Sequence, residues 1–561
     1  MIMPLPGGPT TISAQPARPG RGARIVQAIA NRKPSLFSNT LTNLTWYIIV
    51  LAQGFILPRL ISDHLGREIL GVWDLGWSLV FYTGLLALGT RGAVARYVAR
   101  FRAMQDWNAL NQVVNSSLLL LVIGGAIGLV AAGAFAYCVP YFLTNSSPGV
   151  LSEARWVIFL LSASAALSLP GGVFNGVITG SERFDMLNLA RGARDIGLLV
   201  AGVALLNAKL SLAWLAAAVL ATELIGDFSK YIAAKRLIPT LSISVRNCRW
   251  ASTKEMLSFG GKTVVRNLCR GGTYQFNSLL MTYFLGPSVL AIFARQRSPV
   301  SHAMKFMNQY AQVFIPKSSS LDASRNDEAL QRLLILSTKY GLYLTLPMIA
   351  LLLVMGTPLM TVWMGADYVS PAALAIFTIS HALLVPQQSA YSILMGINRH
   401  GRASVYEIAG LILSILLGVV LMGPLRMGII GGALAVSIPL ALSNGVWVPL
   451  HACRCLNLKV SRYVRESLPG PLLASIPCFA VLLLARIVSP RSDWISLGIG
   501  LGSMVLVMGP VYWFAVLPSG LRERVVKQVS NLFPGSWKRW PREDQPIAGP
   551  AKGIVHPDRV R

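Results

Sequence analysis

The sequence predicts an all-α polytopic membrane protein of about fourteen transmembrane helices, arranged as two related six-helix lobes plus two extra C-terminal helices. Three observations predict it. Hydrophobic residues make up 54% of the 561 positions and charged residues 13%, with a mean hydropathy of +0.56, which is too apolar for a surface that faces water. Mostly apolar windows of roughly 20 residues recur fourteen times, each long enough to cross a hydrocarbon layer. Finally, a set of local motifs returns once, 216 to 220 positions later.

Taken in order, residues 1–35 are rich in Pro, Gly and Arg without the apolar run and small-residue cleavage site of a secretory signal, and they read as a disordered basic cytoplasmic tail. The N-terminal six-helix lobe, 36–250, holds windows at about 37–57, 71–89, 115–139, 155–178, 193–207 and 210–229. The C-terminal six-helix lobe, 251–458, holds windows at about 259–285, 293–315, 333–355, 371–395, 404–422 and 427–450. An additional helix pair, 459–520, contributes 468–486 and 494–517, and 521–561 is a second disordered basic cytoplasmic tail. An even number of spans puts both ends on one side. Most Lys and Arg then fall on that side: the loop 230–258 carries Lys230, Lys235, Arg236, Arg246, Arg249 and Lys254, while 140–153 and 356–370 carry none. Such asymmetry places the termini in the cytoplasm. It also accounts for the net charge of +28 through basic loops between apolar spans, so nucleic acid is not an expected partner. The six cysteines have no metal-ligand spacing beyond a lone Cys453-x-Cys455, which indicates free thiols and no metal site. No outward loop exceeds about fifteen residues, so function must lie among the helices.

The repeat is read from three ordered anchors. Leu65-Gly66 before Gly71-Val72-Trp73 is answered by Leu285-Gly286 before Ala291-Ile292-Phe293; Pro140 is answered by Pro358; and Pro170, Gly180 and Arg183 are answered by Pro386, Gly396 and Arg399. Because six spans separate the copies, both lobes share one orientation, and parallel repeats of this kind bind cargo between lobes that rock against each other.

The window from Ser258 to Gly286 is apolar enough to span, yet carries Lys262, Arg266 and Arg270 four residues apart, with Asn277 continuing the stripe. A cation near mid-bilayer costs about 3 kcal/mol on insertion scales, so such a face points to a polar cavity and to an anionic cargo. Snorkelling of Lys262 and Arg266 to headgroups is the bland alternative. The next window adds Arg295, Arg297, Ser298, His302, Lys305, Gln309 and Gln312. In the first lobe, Asn39, Asn43 and Gln53 lie on the matching helix, and Arg91 and Arg96 end the second, where inner-leaflet anchoring and a cargo role stay equally open. Of the intramembrane acids, Asp195 and Glu407 read as structural ion-pair partners beside Arg194 and Arg402. Asp74, with only Arg67 near it in sequence, is the candidate for coupling to a proton or sodium gradient. His302 and His381 read as hydrogen-bonded packing residues. The Gly-x3-Gly spacings at Gly124, Gly172, Gly428 and Gly498 read as close helix contacts.

The run Asn43 to Tyr97, with Leu57-Pro58-Arg59-Leu60-Ile61-Ser62, Gly71-Val72-Trp73, Leu88-Gly89 and Arg96-Tyr97, together with Gly176 to Asp185 (GVITGSERFD), resembles the polysaccharide transporter family, the Wzx-type flippases, of the multidrug/oligosaccharidyl-lipid/polysaccharide (MOP) exporter superfamily. The resemblance covers about 36–460. It implies a multi-pass protein of the bacterial inner membrane, not an enzyme, that flips undecaprenyl-diphosphate-linked oligosaccharide from the cytoplasmic to the periplasmic leaflet. It implies a diphosphate suited to Lys262, Arg266 and Arg270, no cofactor, membrane lipids as surroundings, and polysaccharide polymerase and chain-length proteins as partners. It also implies a lipid-tail groove formed by the last two spans. A drug/cation antiporter of the same superfamily is the alternative, and would want an acidic lumen. A membrane glycan polymerase or ligase would need ionisable groups on the outward side, which the short outward loops do not supply.

Overall fold

The computed structural model describes residues 36–523 except 88, 145, 490–492, 518 and 521; the side chains of 36–40, 91, 250–253, 255–267, 270 and 515 also lie outside the description. Among the described residues there is no strand. The first helix, α1 (Leu36–Leu85), is two spans joined end to end, because Gly66 interrupts it at φ 86, ψ 173, a conformation open to glycine alone. Then follow α2 (Thr90–Ala103), α3 (Trp107–Phe142), α4 (Pro148–Leu167), α5 (Gly171–Gly180), α6 (Phe184–Asn207) and α7 (Leu212–Leu237). The second lobe repeats the pattern with α8 (Trp250–Leu285), α9 (Pro287–Gln312), α10 (Phe314–Ala323), α11 (Asp327–Met364), α12 (Pro371–Leu384), α13 (Gln388–Gly396), α14 (Gly401–Met422), α15 (Gly428–Leu440), a π-helical stretch Ala441–Trp447, and α16 (Val448–Cys455). After these come α17 (Val460–Ser467), α18 (Pro469–Val488) and α19 (Asp493–Val511).

All fourteen expected windows fall on helix, and nine helices among the described residues are apolar and long enough to cross a membrane by composition and length alone. The difference has a physical origin. One long α1 holds two spans, the break at Pro386 leaves α12 and α13 each too short, α6 and α9 carry too many charged and polar residues to pass, and the described part of α8 is too short to be counted.

The repeat is written in the backbone. Gly286 adopts φ 84, ψ 169, almost the values of Gly66. Three further left-handed residues match in order, Gln105 with Arg325, Glu182 with Asn398, and Lys209 with Arg426. The first of these pairs precedes matched N-caps, where Asp106 accepts from Ala109 N at 2.9 Å and Asn326 accepts from Ala329 N at 3.0 Å. Two turns with the same cap chemistry at the same offset are what duplication of one six-helix unit leaves behind.

Packing divides the molecule across its height. One core runs through both lobes at the end away from the termini, joining Leu57, Trp73, Leu161 and Leu215 to Phe293, Met360 and Phe377. Toward the termini each lobe has its own core, around Val98, Leu121 and Ile178 in the first and Leu334, Leu394 and Val448 in the second. The lobes are therefore fused at one end and parted at the other. A fourth core sets α18 and α19 against α11 through Met355, Cys478 and Leu482. At the fused end Gly71 is required by close approach, since a Cβ there would fall 1.9 Å from the Pro287 carbonyl oxygen. Among the Gly-x3-Gly spacings, Gly124 and Gly128 meet Leu86 and Ala166 as expected, whereas Gly498 and Gly502 face open space and are not packing contacts.

Candidate functional site

Where the lobes part, a cavity of about 450 Å³ opens between α1, α6 and α7 on one side and α9 on the other. Its first-lobe wall carries a self-contained charge cluster. Arg194 donates to Asp195 Oδ1 at 2.6 Å and to Glu223 Oε1 at 2.6 Å, and Trp46 Nε1 donates to Asp195 Oδ2 at 2.9 Å. With two carboxylates to one guanidinium, this wall is slightly acidic. The second-lobe wall is α9, which presents Arg295, Ser298, Ser301, His302 and Lys305. Here the cations dominate. Trp73 and Trp77, one turn apart on α1, and Gln53 complete the lining.

The fused end is closed by bonds that cross from α1 to the second lobe. Trp363 Nε1 donates to the Phe55 carbonyl at 2.8 Å, Arg59 Nη1 donates to the Trp363 carbonyl at 3.2 Å, and the Ser62 and Tyr368 hydroxyls share a hydrogen bond of 2.7 Å. Gln296 donates its amide to the Tyr368 carbonyl. Burial pushes the Tyr368 phenol above its usual range, with the Ser62 hydrogen bond pulling it back, so it stays protonated. Beneath these bonds Arg295 Nη2 reaches Asp74 Oδ1 at 2.5 Å. Only one of its nitrogens is engaged. Arg295 Nε and Nη1, although buried, have no hydrogen-bond partner.

The sequence-predicted residues distribute unevenly over this geometry. Arg295 and Lys305 line the cavity. Lys262, Arg266 and Arg270 sit on α8, but their side chains, like those of Asn39 and Arg91, lie outside the described residues. Asn277 is a correction: it is fully buried inside the second lobe, donating to Ser414 Oγ at 2.7 Å and to the Thr273 carbonyl at 2.8 Å, and it faces α14 rather than the cavity. Arg297 is another, because its guanidinium lies 5.1 Å over the Tyr274 ring and 6.0 Å from the Phe293 ring and is not part of the cavity lining. Arg96 is exposed on α2, and Asn43 accepts from Asn188 Nδ2 at 3.0 Å; neither lines the cavity. Asp74 is corrected too, since its cation is Arg295 of the other lobe, not Arg67. His302 lines the cavity with its ring stacked 5.6 Å from Phe55, while His381 is a buried packing residue bonded to the Tyr274 hydroxyl at 2.9 Å. The reading of the sequence missed Trp73 and Trp77, whose i, i+4 spacing was the available signal.

Comparison with known proteins follows from this arrangement. The chain shares a fold with the lipid II flippase MurJ in an inward closed conformation (TM-score 0.63, 14% identity, 84% of this chain and 98% of that one) and with an inward-facing multidrug resistance MATE family transporter of the MOP superfamily (TM-score 0.62, 16% identity, 79% and 99%). The likeness to both is one of fold. Residues 157–373 match a family model described as polysaccharide biosynthesis protein, which includes the GVITGSERFD segment. The uncharacterized membrane protein EpsK of Bacillus subtilis is 22% identical over 468 residues, 82% of this chain and 91% of the relative. The expected resemblance is borne out as a likeness, in fold to these neighbours and over residues 157–373 to the polysaccharide biosynthesis family, and with it an all-helical, multi-pass architecture.

Proposed function

We propose that this chain is a flippase that moves a polyprenyl-diphosphate-linked oligosaccharide from the cytoplasmic to the periplasmic leaflet of a bacterial inner membrane by alternating access, with both termini cytoplasmic. The observation that carries the reading is Arg295, which lines the cavity with Nε and Nη1 unspent. A buried guanidinium edge without partners is matched by phosphate oxygens, which accept two parallel N–H bonds. Lys305, one wall with it, adds a second cation toward the parted end, and Trp73, Trp77, Gln53 and Ser298 offer rings and polar groups suited to sugar. Lys262, Arg266 and Arg270 on α8 extend the cationic set as binding residues. The chemistry needs binding and reorientation only, so no catalytic group or cofactor enters. Asp74 belongs in this reading to the closure of the fused end, and a proton or sodium gradient remains the proposed drive. Polymerase and chain-length proteins are the proposed recipients on the far side.

Lys305→Ala, Arg266→Ala and Arg270→Ala should each abolish or strongly lower glycan export, with lipid-linked oligosaccharide accumulating at unchanged protein level. For the two arginines, Arg→Lys should restore only part. Normal export in Lys305→Ala and Arg270→Ala together would overturn the cargo site. A second reading, antiport of cationic drugs, is favoured by Asp195 and Glu223 in the first wall. Both carboxylates are already held by Arg194, which leaves little free negative charge. Ethidium accumulation that rises on deletion of the gene, with glycan export intact, would select that reading instead.

A further inference from the structure

We infer that the corner of the second lobe nearest the termini, where α14 meets α16, is a binding site for the phosphate of an anionic phospholipid headgroup. Tyr406, Trp447, Leu450, His451 and Arg454 enclose about 270 Å³ there, and none of them lines the cavity between the lobes. The rings form a rigid wall: Tyr406 lies 5.6 Å from Trp447 and 6.1 Å, edge-on, from His451. His451 Nε2 sits 3.2 Å from the Arg399 carbonyl, and Arg399 Nη1 donates to the Cys455 carbonyl at 2.8 Å, so the imidazole and the α13–α14 turn are pinned to α16. Arg402 and Arg454 are exposed and make no ion pair among the described residues. No Asp or Glu occurs in 396–403 or 450–458. Three guanidiniums thus share one corner without an ion pair among the described residues, and the nearest acid on α14, Glu407, is buried beside Tyr406 and forms no ion pair with them.

The first lobe shows what is missing. At the equivalent turn Arg183 holds Asp185 through two bonds, Nε to Oδ1 at 2.9 Å and Nη2 to Oδ2 at 3.0 Å. Counting 216 positions on, Arg399 stands where Arg183 does, Gly401 stands in place of Asp185, and Arg402 replaces Met186. The duplicated corner has exchanged its internal anion for an extra cation, which leaves the place of the anion open to one from outside. At the edge of the hydrocarbon on the side of the basic loops, lipid phosphate is the anion at highest local concentration, and each Lys or Arg near that surface raises affinity for it several-fold. Trp447, 41% exposed, and Tyr406 are the ring types that settle at headgroup depth. Trp447 also closes the π-helical stretch Ala441–Trp447, an extra-residue turn of a kind that recurs at functional sites. The cargo diphosphate offers the same chemistry, but its place lies between the lobes, and the corner is outside that cavity.

The test is native mass spectrometry of the full chain, delipidated in detergent and titrated with phosphatidylglycerol or phosphatidylcholine. The wild type should retain phosphatidylglycerol on the order of tenfold more tightly than phosphatidylcholine. Arg402→Ala/Arg454→Ala should lose most of that preference. Gly401→Asp, which rebuilds the first-lobe pair at a position where an added Cβ meets nothing within 4 Å, should lose it with an unchanged melting temperature and so serves even if the double variant misfolds. Retention of the wild-type preference in Gly401→Asp overturns the site. If the variants instead release added undecaprenyl diphosphate and leave phosphatidylglycerol untouched, the corner handles cargo and the phospholipid assignment fails.

Discussion

The Asp74 carboxylate and the Arg295 guanidinium meet across the lobes at the largely buried end of the cavity, with side-chain exposures of 13% and 7%. Desolvation cancels most of the attraction in such a pair, but removing one partner strands the other as a buried charge, at about 3–5 kcal/mol. Arg295→Met should therefore lower the unfolding temperature of the detergent-solubilised protein sharply, and adding Asp74→Asn should restore most of the loss. Additive destabilisation in the double variant would show the two do not act as a pair. The same residues explain what the sequence could not say. Asp74 and Arg295 are 221 positions apart, and a helical stripe reports which residues share a face but not what that face touches. Asn277 continued the α8 stripe faithfully and still points into the lobe, bonded to Ser414. The ion pair of Asp195 with Arg194 was legible because its partner is the next residue.

At the scale of elements, the turn from the first span to the second and the turn from α8 to α9 press on each other at the fused end, and Gly71 is what lets them. An added methyl would sit 1.9 Å from the Pro287 carbonyl, against backbone that cannot swing aside. Overpacking of this kind costs about 2 kcal/mol or more. Gly71→Ala should thus reduce the yield of folded protein or part the fused end, whereas Gly84→Ala, with nothing within 4 Å, should behave as wild type. Both can be scored by fluorescence-detected gel filtration of membrane extracts. The elements themselves were largely legible: every apolar window became helix, and the paired glycines of the repeat took the same φ and ψ. What escaped was continuity. Nothing in local composition distinguishes two spans joined by Gly66 from two spans joined by a loop, because that choice depends on how the joined ends pack.

For the whole molecule, a core continuous through both lobes at one end and split at the other is a shape with one open side. On the proposed topology, with the basic loops in the cytoplasm, that open side is the cytoplasmic one. Single cysteines in 140–153 and 356–370 should then react with an impermeant maleimide added to intact cells, and cysteines in 230–258 should react only after permeabilisation. Labelling of 230–258 from outside would invert the topology and the direction of transport with it.

The Arg194, Asp195 and Glu223 cluster also constrains how the chain is made. The segment that becomes α6 carries Arg191, Arg194 and Asp195 in its span, with Asp185 at its start already held by Arg183, and leaving the translocon alone it would take an unbalanced cation into lipid. Glu223, which accepts from Arg194 at 2.6 Å, arrives only with α7. The two helices are therefore expected to wait for each other and partition as a hairpin, the second serving as counter-ion to the first. Glu223→Gln should leave a ribosome-arrested chain ending shortly after α7 exposed to quality-control proteolysis longer than wild type, a delay that pulse-chase labelling would read before any cargo is involved.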